Sequence, residues 1–276
     1  MRNPYKFDEP ICVAFSGGRS SAYMLRKILD AGLPAGSVVV FCNTGKEEEA
    51  TLEFVRDCAA IWGITVIWLE YRVGDEKFAI VDFETASRNG EPFEALIRKK
   101  QYLPNPVTRF CTSELKIRIT AQYCKSIGLD IGEEESIVGF RYDEPVRVAK
   151  LADKSRAPMY HAKVTKKEVI EFWRSSPFDL GLPNINGVTP NGNCDLCFLK
   201  GQYQNLSLVI QKPSRADWWA RMESFVRSKG VPTSADAAVF REDRPSYAAM
   251  KKFSIDQLSL FDPNEEGIDC FCGRDV

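Results

Sequence analysis

The chain has 276 residues, 44% hydrophobic and 27% charged, and its 37 basic and 38 acidic residues give a net charge of −1. This balance excludes a protein that coats polyanions through its overall charge, and the length suits one large α/β domain with or without an appendage. Nine cysteines stand beside a single histidine, His161. A Ser-His-Asp triad or a histidine-rich metal site would rest on His161 alone, which leaves cysteine chemistry as the favoured class.

The N-terminal residues contain no apolar signal region, and no apolar run approaches the length of a membrane span. An odd number of cysteines without such a signal argues against a disulfide framework. We therefore expect a cytoplasmic protein without a membrane partner, in which clustered cysteines serve a metal or catalysis.

Alternating strands and helices are predicted for the first part of the chain. The apolar patterns predict strands at residues 11–15, 38–42, 64–69 and 136–140, and helices at residues 20–29, 47–62, 93–100, 113–127 and 166–173. Parallel strands need crossover helices, so this order predicts an α/β fold with a parallel sheet. A loop is expected at residues 177–193, and a soft boundary separates a domain of residues 1–205 from a helical extension of residues 206–276 with a cysteine-bearing tail.

Two polar turns follow the first two predicted strands. The first holds Ser16, Gly17, Gly18, Arg19, Ser20 and Ser21, where glycines, hydroxyls, a positive charge and a helix N-terminus suit a phosphate or a sulfate. The second holds Asn43, Thr44 and Gly45, and the carboxyl ends of neighbouring parallel strands would bring the two turns together. The alternative for each is an ordinary capped strand-to-helix turn.

Basic residues concentrate in two stretches. Residues 98–118 carry six basic side chains against one acidic, and residues 141–167 carry eight against three. Such a local excess favours a focused anion site, with solvated helix faces as the alternative for the lysines. Arg109, Arg141 and Arg147 lie between apolar residues and are the better candidates for bidentate phosphate contacts.

Loop cysteines give the strongest chemical signal. Cys194 and Cys197 form a C-x-x-C pair, which can hold a metal or cluster or form a redox dithiol. Cys111 and the C-terminal Cys270 and Cys272 are the loop candidates that would complete a site, whereas Cys12, Cys42, Cys58 and Cys124 fall on strand or helix patterns and are expected to be buried apolar thiols. Spacing alone does not separate zinc from an iron–sulfur cluster.

Read in order, these segments resemble the PP-loop superfamily and, within it, the phosphoadenosine phosphosulfate (PAPS) reductase family. Residues 16–21 are similar to its S-G-G-x-x-S phosphate loop, and Asn43, Thr44 and Gly45 to its D-T-G element. Further similarities are the C-x-x-x-x-K segment at Cys111 and Lys116, and the G-x-R…E…R element at Gly139, Arg141, Glu144 and Arg147. Arg19-Ser20 stands where ATP-using members have Lys-Asp.

The resemblance implies a doubly wound fold that binds ATP, PAPS or adenylyl sulfate through residues 16–21, Asn43, Thr44, Gly45, Lys116 and Gly139. It also implies a 4Fe–4S cluster held by Cys111, Cys194 and Cys197, with Cys270 or Cys272 as the fourth ligand. In the reductases a C-terminal cysteine attacks the sulfonucleotide, and residues 271–274 look similar, so Cys272 has two competing roles.

We therefore expect a reductase-like enzyme in which Arg19, Arg109, Arg141 and Arg147 hold phosphate and sulfate. A Cys272 thiolate would attack the sulfur, and an external thiol or a thioredoxin-like protein would supply the electrons. One alternative is an ATP-dependent sulfurtransferase that adenylates a base of a nucleic acid. Another is a non-catalytic, cluster-bearing nucleotide-binding subunit. The oligomeric state is left open, with a homo-oligomer as one possibility.

Overall fold

The computed structural model describes residues 3–133, 135–230 and 238–258, with the backbone alone for residues 257 and 258. In these ranges the sheet has four strands in the order β1-β2-β3-β4: Cys12–Ala14 (β1), Val38–Asn43 (β2), Val66–Tyr71 (β3) and Phe78–Val81 (β4). β1, β2 and β3 run parallel, and β4 pairs with β3 in the antiparallel direction. The predicted α/β class with a parallel sheet is confirmed, whereas the antiparallel edge strand was not predicted.

Helices connect and follow the strands. They are Arg19–Ala31 (α1), Glu49–Trp62 (α2), Glu91–Lys100 (α3), Phe110–Thr112 (α4), Ile119–Ser126 (α5), Pro145–Val148 (α6), Pro158–His161 (α7), Lys166–Ser175 (α8), Gln202–Gln211 (α9), Ala216–Ser228 (α10) and Tyr247–Leu258 (α11). A π-helix, Ser113–Arg118, joins α4 to α5. No helix among the described residues is long and apolar enough to cross a membrane.

Successive side chains of the strands contribute alternately to two hydrophobic clusters, one on each face of the sheet. On β2, Val39 and Phe41 belong to the cluster with α1, α2 and α8, while Val40 and Cys42 belong to the cluster with α3 and α5. This alternation is what a period of two produces in a strand covered on both faces. Residues of α9, α10 and α11 join the second cluster, through Trp219 among others. The helices after residue 205 therefore pack into the same core as the sheet.

The strand predicted at residues 136–140 is not formed, and a single parallel bridge at Ile137 is what joins this segment to β1. Ala14 donates to the Ile137 carbonyl at 2.9 Å and Ile137 donates to the Cys12 carbonyl at 2.8 Å, whereas Phe15 donates to Val40 of β2 at 2.9 Å. Residues 12 and 14 form their hydrogen bonds at one edge of β1, and residue 15 forms its hydrogen bond at the other edge. The segment around Ile137 therefore lies on the side of β1 away from β2. The chain therefore passes to the other side of β1 after β4, and in open α/β sheets ligands bind in the crevice outside the carboxyl ends of the strands at such a change of side.

Candidate functional site

The first turn, residues 15–20, leads from β1 into α1. Gly17 has φ +71°, and a Cβ there would lie 2.6 Å from Thr51 Cγ2, so only glycine lets the turn pass against α2. Ser21 Oγ donates to the Gly18 carbonyl at 2.9 Å, which leaves the Ser16 hydroxyl to donate to Ser21 Oγ at 2.9 Å. Gly18, at the N-cap, has no side chain, so no side-chain cap competes with an anion for the first amide groups of the 13-residue α1.

Gly139 and Arg141 lie directly over this turn. A Cβ on Gly139 would lie 2.9 Å from Ser21 Cα, so the chain after Ile137 touches the first turn of α1. Arg141 donates to Ser20 Oγ at 2.9 Å and to Asp143 at 2.8 Å, and its side chain is half-buried. The structure thus brings Ser20, Gly139 and Arg141 together at the crevice beside β1.

Arg19, in the middle of the same turn, points away from the first amide groups of α1. It is 8% exposed and binds Asp179 through two hydrogen bonds of 2.7 and 2.6 Å, with Thr189 Oγ1 at 2.9 Å and the Leu182 carbonyl at 2.8 Å. Four N–H groups of this guanidinium are therefore engaged inside the protein. The phosphate-binding role expected of Arg19 is not the one that its side chain performs in this structure.

The remaining predicted arginines are exposed. Arg147 pairs with Glu144 at 2.7 Å and lies over the Phe140 ring, with 4.1 Å between the guanidinium carbon and the ring centroid. Arg109 is exposed at the start of α4, two residues before Cys111. Both are accessible to a ligand from solvent, and neither is enclosed in the crevice.

The second turn, residues 43–48, is closed by its own hydrogen bonds. Asn43 is fully buried: its amide donates to Glu70 at 2.7 Å and to the Ser87 carbonyl at 2.8 Å, and its oxygen accepts from Gly45 N at 3.1 Å. Thr44 donates to the Glu47 carboxylate at 2.9 Å. Gly45 has φ +74°, and a Cβ would lie 2.9 Å from the Gly90 nitrogen. The predicted nucleotide-binding side chains of this turn are used within the protein.

The structure gathers three predicted ligand cysteines around Lys116. Cys111 comes from α4, Lys116 from the π-helix, and Cys194 and Cys197 from the loop before α9. Cys197 is close enough to interact electrostatically with both other cysteines, and Lys116 interacts with Cys111 and Cys194. Cys194 Sγ also lies 3.5 Å from Thr44 Oγ1, which places this thiol cluster beside the second turn.

Burial keeps these thiols protonated at neutral pH. Burial, together with Cys197, raises the pKa of Cys111 to about 11, and burial also raises the pKa of Cys194 and Cys197. Burial opposes the charge of Lys116, yet Glu47 and the surrounding thiols raise the pKa of this lysine overall. A metal centre at this point would displace the thiol protons, and Lys116 would balance part of the negative charge of the thiolates.

The C-x-x-C pair is fixed by the residue between its cysteines. Asp195 N donates to the Lys46 carbonyl at 2.7 Å, and its carboxylate binds Lys46 Nζ at 3.0 Å and Trp219 Nε1 at 2.9 Å. Tyr247 at the start of α11 donates to the Leu196 carbonyl at 2.6 Å. The C-terminal helices therefore hold the cysteine loop against the second turn.

Three sulfur donors with lysines around them fit a thiolate-bound cluster better than a hard cation, which prefers oxygen ligands. Within the described ranges, no group of three or more His, Cys, Asp or Glu side chains could hold a single metal ion. The sequence left open whether Cys270 or Cys272 is the fourth ligand and whether Cys272 is the nucleophile. Both residues lie outside the described residues. The 4Fe–4S cluster stays a prediction.

Comparison with known proteins gives one relationship of note. No family model matches the chain. The uncharacterized nin region protein ORF290 of Escherichia phage lambda is 31% identical over 209 residues, which cover 72% of this chain and 69% of the phage protein. The chain belongs to the family of this phage protein.

Several residues of the site were missed from the sequence. The assignment of Cys42 to the core is confirmed, and the sequence did not reveal that its Sγ also lies 3.2 Å from Thr120 Oγ1 and that it interacts with Lys116. Lys46 and Glu47 were passed over as part of a charged helix start, although they follow the strand end that carries Asn43. Their position directly after a parallel strand was the available signal.

Proposed function

We propose that this chain is a PAPS reductase-like enzyme of doubly wound, PP-loop type that binds an adenine nucleotide and reduces adenylyl sulfate to sulfite. The observation that carries the proposal is the meeting of the first turn with Gly139 and Arg141 at the change of side at β1. The first amide groups of α1, the Ser20 hydroxyl and the Arg141 guanidinium lie close together there. Amides at a helix start and one guanidinium are the groups that bind phosphate or sulfate.

The thiol cluster supports the redox half of the proposal. Cys111, Cys194 and Cys197 would hold a 4Fe–4S cluster together with Cys270 or Cys272, and such a cluster would tune the electrostatic potential near the sulfate. Lys116 lies among the thiols, and Lys200 donates to the Cys194 carbonyl at 2.9 Å and to the Asp195 carbonyl at 2.8 Å. These two cations would offset the negative charge of thiolates in a partly desolvated site.

The chemical step uses one thiolate of the chain and one external dithiol. The Cys272 thiolate attacks the sulfate sulfur, so that an S–S bond forms, the S–O bond to phosphate breaks, and the adenosine phosphate leaves with the electron pair. One thiol of an external dithiol reductant then attacks the Cys272 sulfur, which releases sulfite and forms a mixed disulfide. The second thiol of the reductant breaks this mixed disulfide, so that Cys272 is regenerated and the reductant ends as a disulfide. Sulfur(VI) is reduced to sulfur(IV) by the two electrons that the thiols lose.

The test is turnover of PAPS and of adenosine phosphosulfate by anaerobically purified protein with a dithiol reductant, followed as sulfite release. We expect release by the native chain, loss with Cys272→Ser, and retention with Cys58→Ala, a buried thiol of α2 outside the site. Absorbance near 400 nm and iron content report the cluster separately, and Cys111→Ala should reduce both. Nucleotide binding without sulfite release from either substrate would overturn the reductase assignment.

A second function is favoured by residues 141–167, which carry eight basic against three acidic side chains, with Arg156 buried among them. Lys150, Lys154 and Lys163 are exposed and have no ion pair within the described residues. The exposed Tyr142 has its ring 5.4 Å from that of Tyr160. Cations beside an exposed aromatic pair, adjoining the crevice through Arg141, suit a nucleic-acid strand.

On this second reading the enzyme is an ATP-dependent sulfurtransferase. A base carbonyl oxygen attacks the α-phosphate of ATP and releases pyrophosphate, and the terminal sulfur of an external persulfide then displaces AMP. A second external thiol attacks the carrier sulfur of the resulting disulfide, which releases the thiolated base and leaves the two carrier thiols as a disulfide. The test is fluorescence anisotropy with a labelled single-stranded oligonucleotide at 50 and 200 mM salt. Lys150→Glu with Lys154→Glu should weaken binding and flatten its salt dependence, whereas Lys99→Glu with Lys125→Glu should not. Equal effects of both pairs would remove this function.

A further inference from the structure

Residues 178–197, which we call the strap, run from the end of α8 to Cys197 and are held at both ends by half-buried or buried ion pairs. The cation of each pair comes from one of the two turns: Arg19 from the first and Lys46 from the second. The partners on the strap are Asp179 and Asp195. The strap therefore bridges the proposed nucleotide site and the thiol cluster.

The Arg19 end is the more extensive contact. Besides Asp179, the guanidinium reaches Thr189 Oγ1, so that it fixes two points of the strap that are ten residues apart. The Arg19 carbonyl accepts from Trp173 Nε1 at 2.9 Å, which holds the backbone of the same residue against α8. Since Arg19 is also the first residue of α1, its backbone amide belongs to the group that faces a bound phosphate.

The Lys46 end holds the cysteines. Lys46 and Asp195 have side chains 9% and 13% exposed, and Lys46 Nζ lies 5.3 Å from the centre of the Trp218 ring. Breaking this pair would leave a charge in a largely desolvated place. The two ion pairs thus fix the strap to neighbouring strand ends of one sheet.

We propose that Arg19 is a positioning residue that couples the two sites: phosphate bound at the first turn stabilises the closed strap, and the closed strap holds Cys194 and Cys197 at the thiol cluster. The inference rests on the proposed nucleotide site. A ligand that binds only the closed form lowers the fraction of open strap by the factor 1 + [L]/Kd. Coupling of this kind is reciprocal, so loosening the strap also weakens phosphate binding.

Hydrogen–deuterium exchange of the full chain, with and without ATP, tests this coupling. With ATP at ten times its dissociation constant, we expect exchange of strap peptides to slow about tenfold in the native protein. Arg19→Lys keeps the charge but loses the bidentate contact with Asp179, and should reduce the ATP effect on the strap to under about twofold. Its ATP affinity should fall by only about threefold, because the amides and hydroxyls of the first turn remain.

Arg26→Lys is the matched control, since Arg26 is an exposed arginine of the same helix that pairs with Asp30. It should retain the full ATP effect. Asp179→Asn breaks the same ion pair from the partially exposed side and gives a second variant should Arg19→Lys fail to fold. ATP that binds the native chain without changing strap exchange overturns the coupling and leaves the nucleotide site standing. Absence of ATP binding overturns the nucleotide site itself, and the coupling with it.

Discussion

The two turns that follow β1 and β2 occupy equivalent places in the sheet but are built in opposite ways. The first has no side-chain cap on the amide groups of α1, keeps Ser20 partly exposed and turns its charged residue, Arg19, inward. The second buries Asn43, Thr44 and Lys46 and satisfies them internally. Equivalent strand ends in one parallel sheet can therefore differ in how far their polar groups are satisfied within the protein, and we propose that the less satisfied one binds the ligand.

The difference between the two turns has an energetic reason. A buried polar side chain must be hydrogen-bonded within the protein, and Asn43 and Thr44 meet this requirement through Glu70, Ser87 and Glu47. An open helix N-terminus can instead rely on water until an anion arrives. We thus expect substitutions in the second turn to affect folding and those in the first turn to affect ligand binding.

Gly45→Ala should have the largest effect. The residue has φ +74°, and the new Cβ would lie 2.9 Å from the Gly90 backbone nitrogen. Neither the backbone strain nor the steric clash can be relieved by a small movement of a side chain. We expect a loss of about 3 kcal/mol or more in the free energy of unfolding, measured by urea denaturation. Gly18→Ala in the first turn, with its nearest neighbour 3.7 Å from the new Cβ, should cost under about 0.5 kcal/mol. Similar losses in the free energy of unfolding for the two variants would contradict the conclusion that the second turn is the more tightly packed.

Asn43→Asp comes next. The substitution removes the two amide donors to Glu70 and the Ser87 carbonyl and places a second carboxylate against the fully buried Glu70. We expect a loss of about 3 kcal/mol at pH 7, shrinking in acid as the introduced carboxyl gains a proton. Adding Glu70→Gln supplies an amide donor to the new carboxylate and should restore part of the stability. A stable single variant would show that the second turn is less closed than its hydrogen bonds indicate.

Glu223→Gln tests the helices that close the second turn. Burial raises the pKa of Glu223 from 4.5 to about 7, against the effect of the amide groups of Tyr247 and Phe240 and of Arg227. Because the folded pKa is the higher one, this group contributes most stability below pH 4.5 and loses it as the pH rises to 7, by up to about 3 kcal/mol. Glu223→Gln should flatten the decline in stability between pH 5 and 8. An unchanged pH profile would assign the decline to other groups.

Arg141→Ala should have the smallest effect on folding, since the guanidinium is at the surface of the crevice and its partners Ser20 and Asp143 are accessible to water. We expect a change in stability within about 0.5 kcal/mol and a loss of ATP affinity of about tenfold, measured by calorimetry. Arg147→Ala, with an exposed guanidinium, is the comparison and should weaken ATP less. The reverse ranking would move the phosphate site away from the first turn.

The β-α-β-α-β order was predictable because each of its elements has a local signature. Apolar runs mark the strands, and Gly63 at the left-handed C-cap of α2 marks the helix end. β4 was missed because residues 78–81 form a short edge strand with an exposed Ile80 and a weak alternation. Local pattern thus suffices where an element crosses the core and fails at the edge of the sheet.

Contacts between distant residues account for the rest of the differences. Nothing near Arg19 in the chain reveals Asp179, 160 residues away, so its charge was read as available to a ligand. The same holds for Lys46 and Asp195. Loop cysteines were assigned together because thiols outside regular elements have few structural roles, and the structure does bring Cys111, Cys194 and Cys197 around Lys116.

The π-helix at Ser113–Arg118 makes the length of this segment matter as much as its composition. Its turns contain an extra residue relative to an α-helix, and each residue of an α-helix turns the chain by about 100°. Deletion of one residue here would allow one continuous α-helix from Phe110 to Ser126, with better hydrogen bonding. It would also rotate Cys111 by about 100° relative to Ile119, which is anchored in the core. An insertion or a deletion at this place would therefore turn the Cys111 thiol away from Cys194 and Cys197 without changing any residue of the thiol cluster.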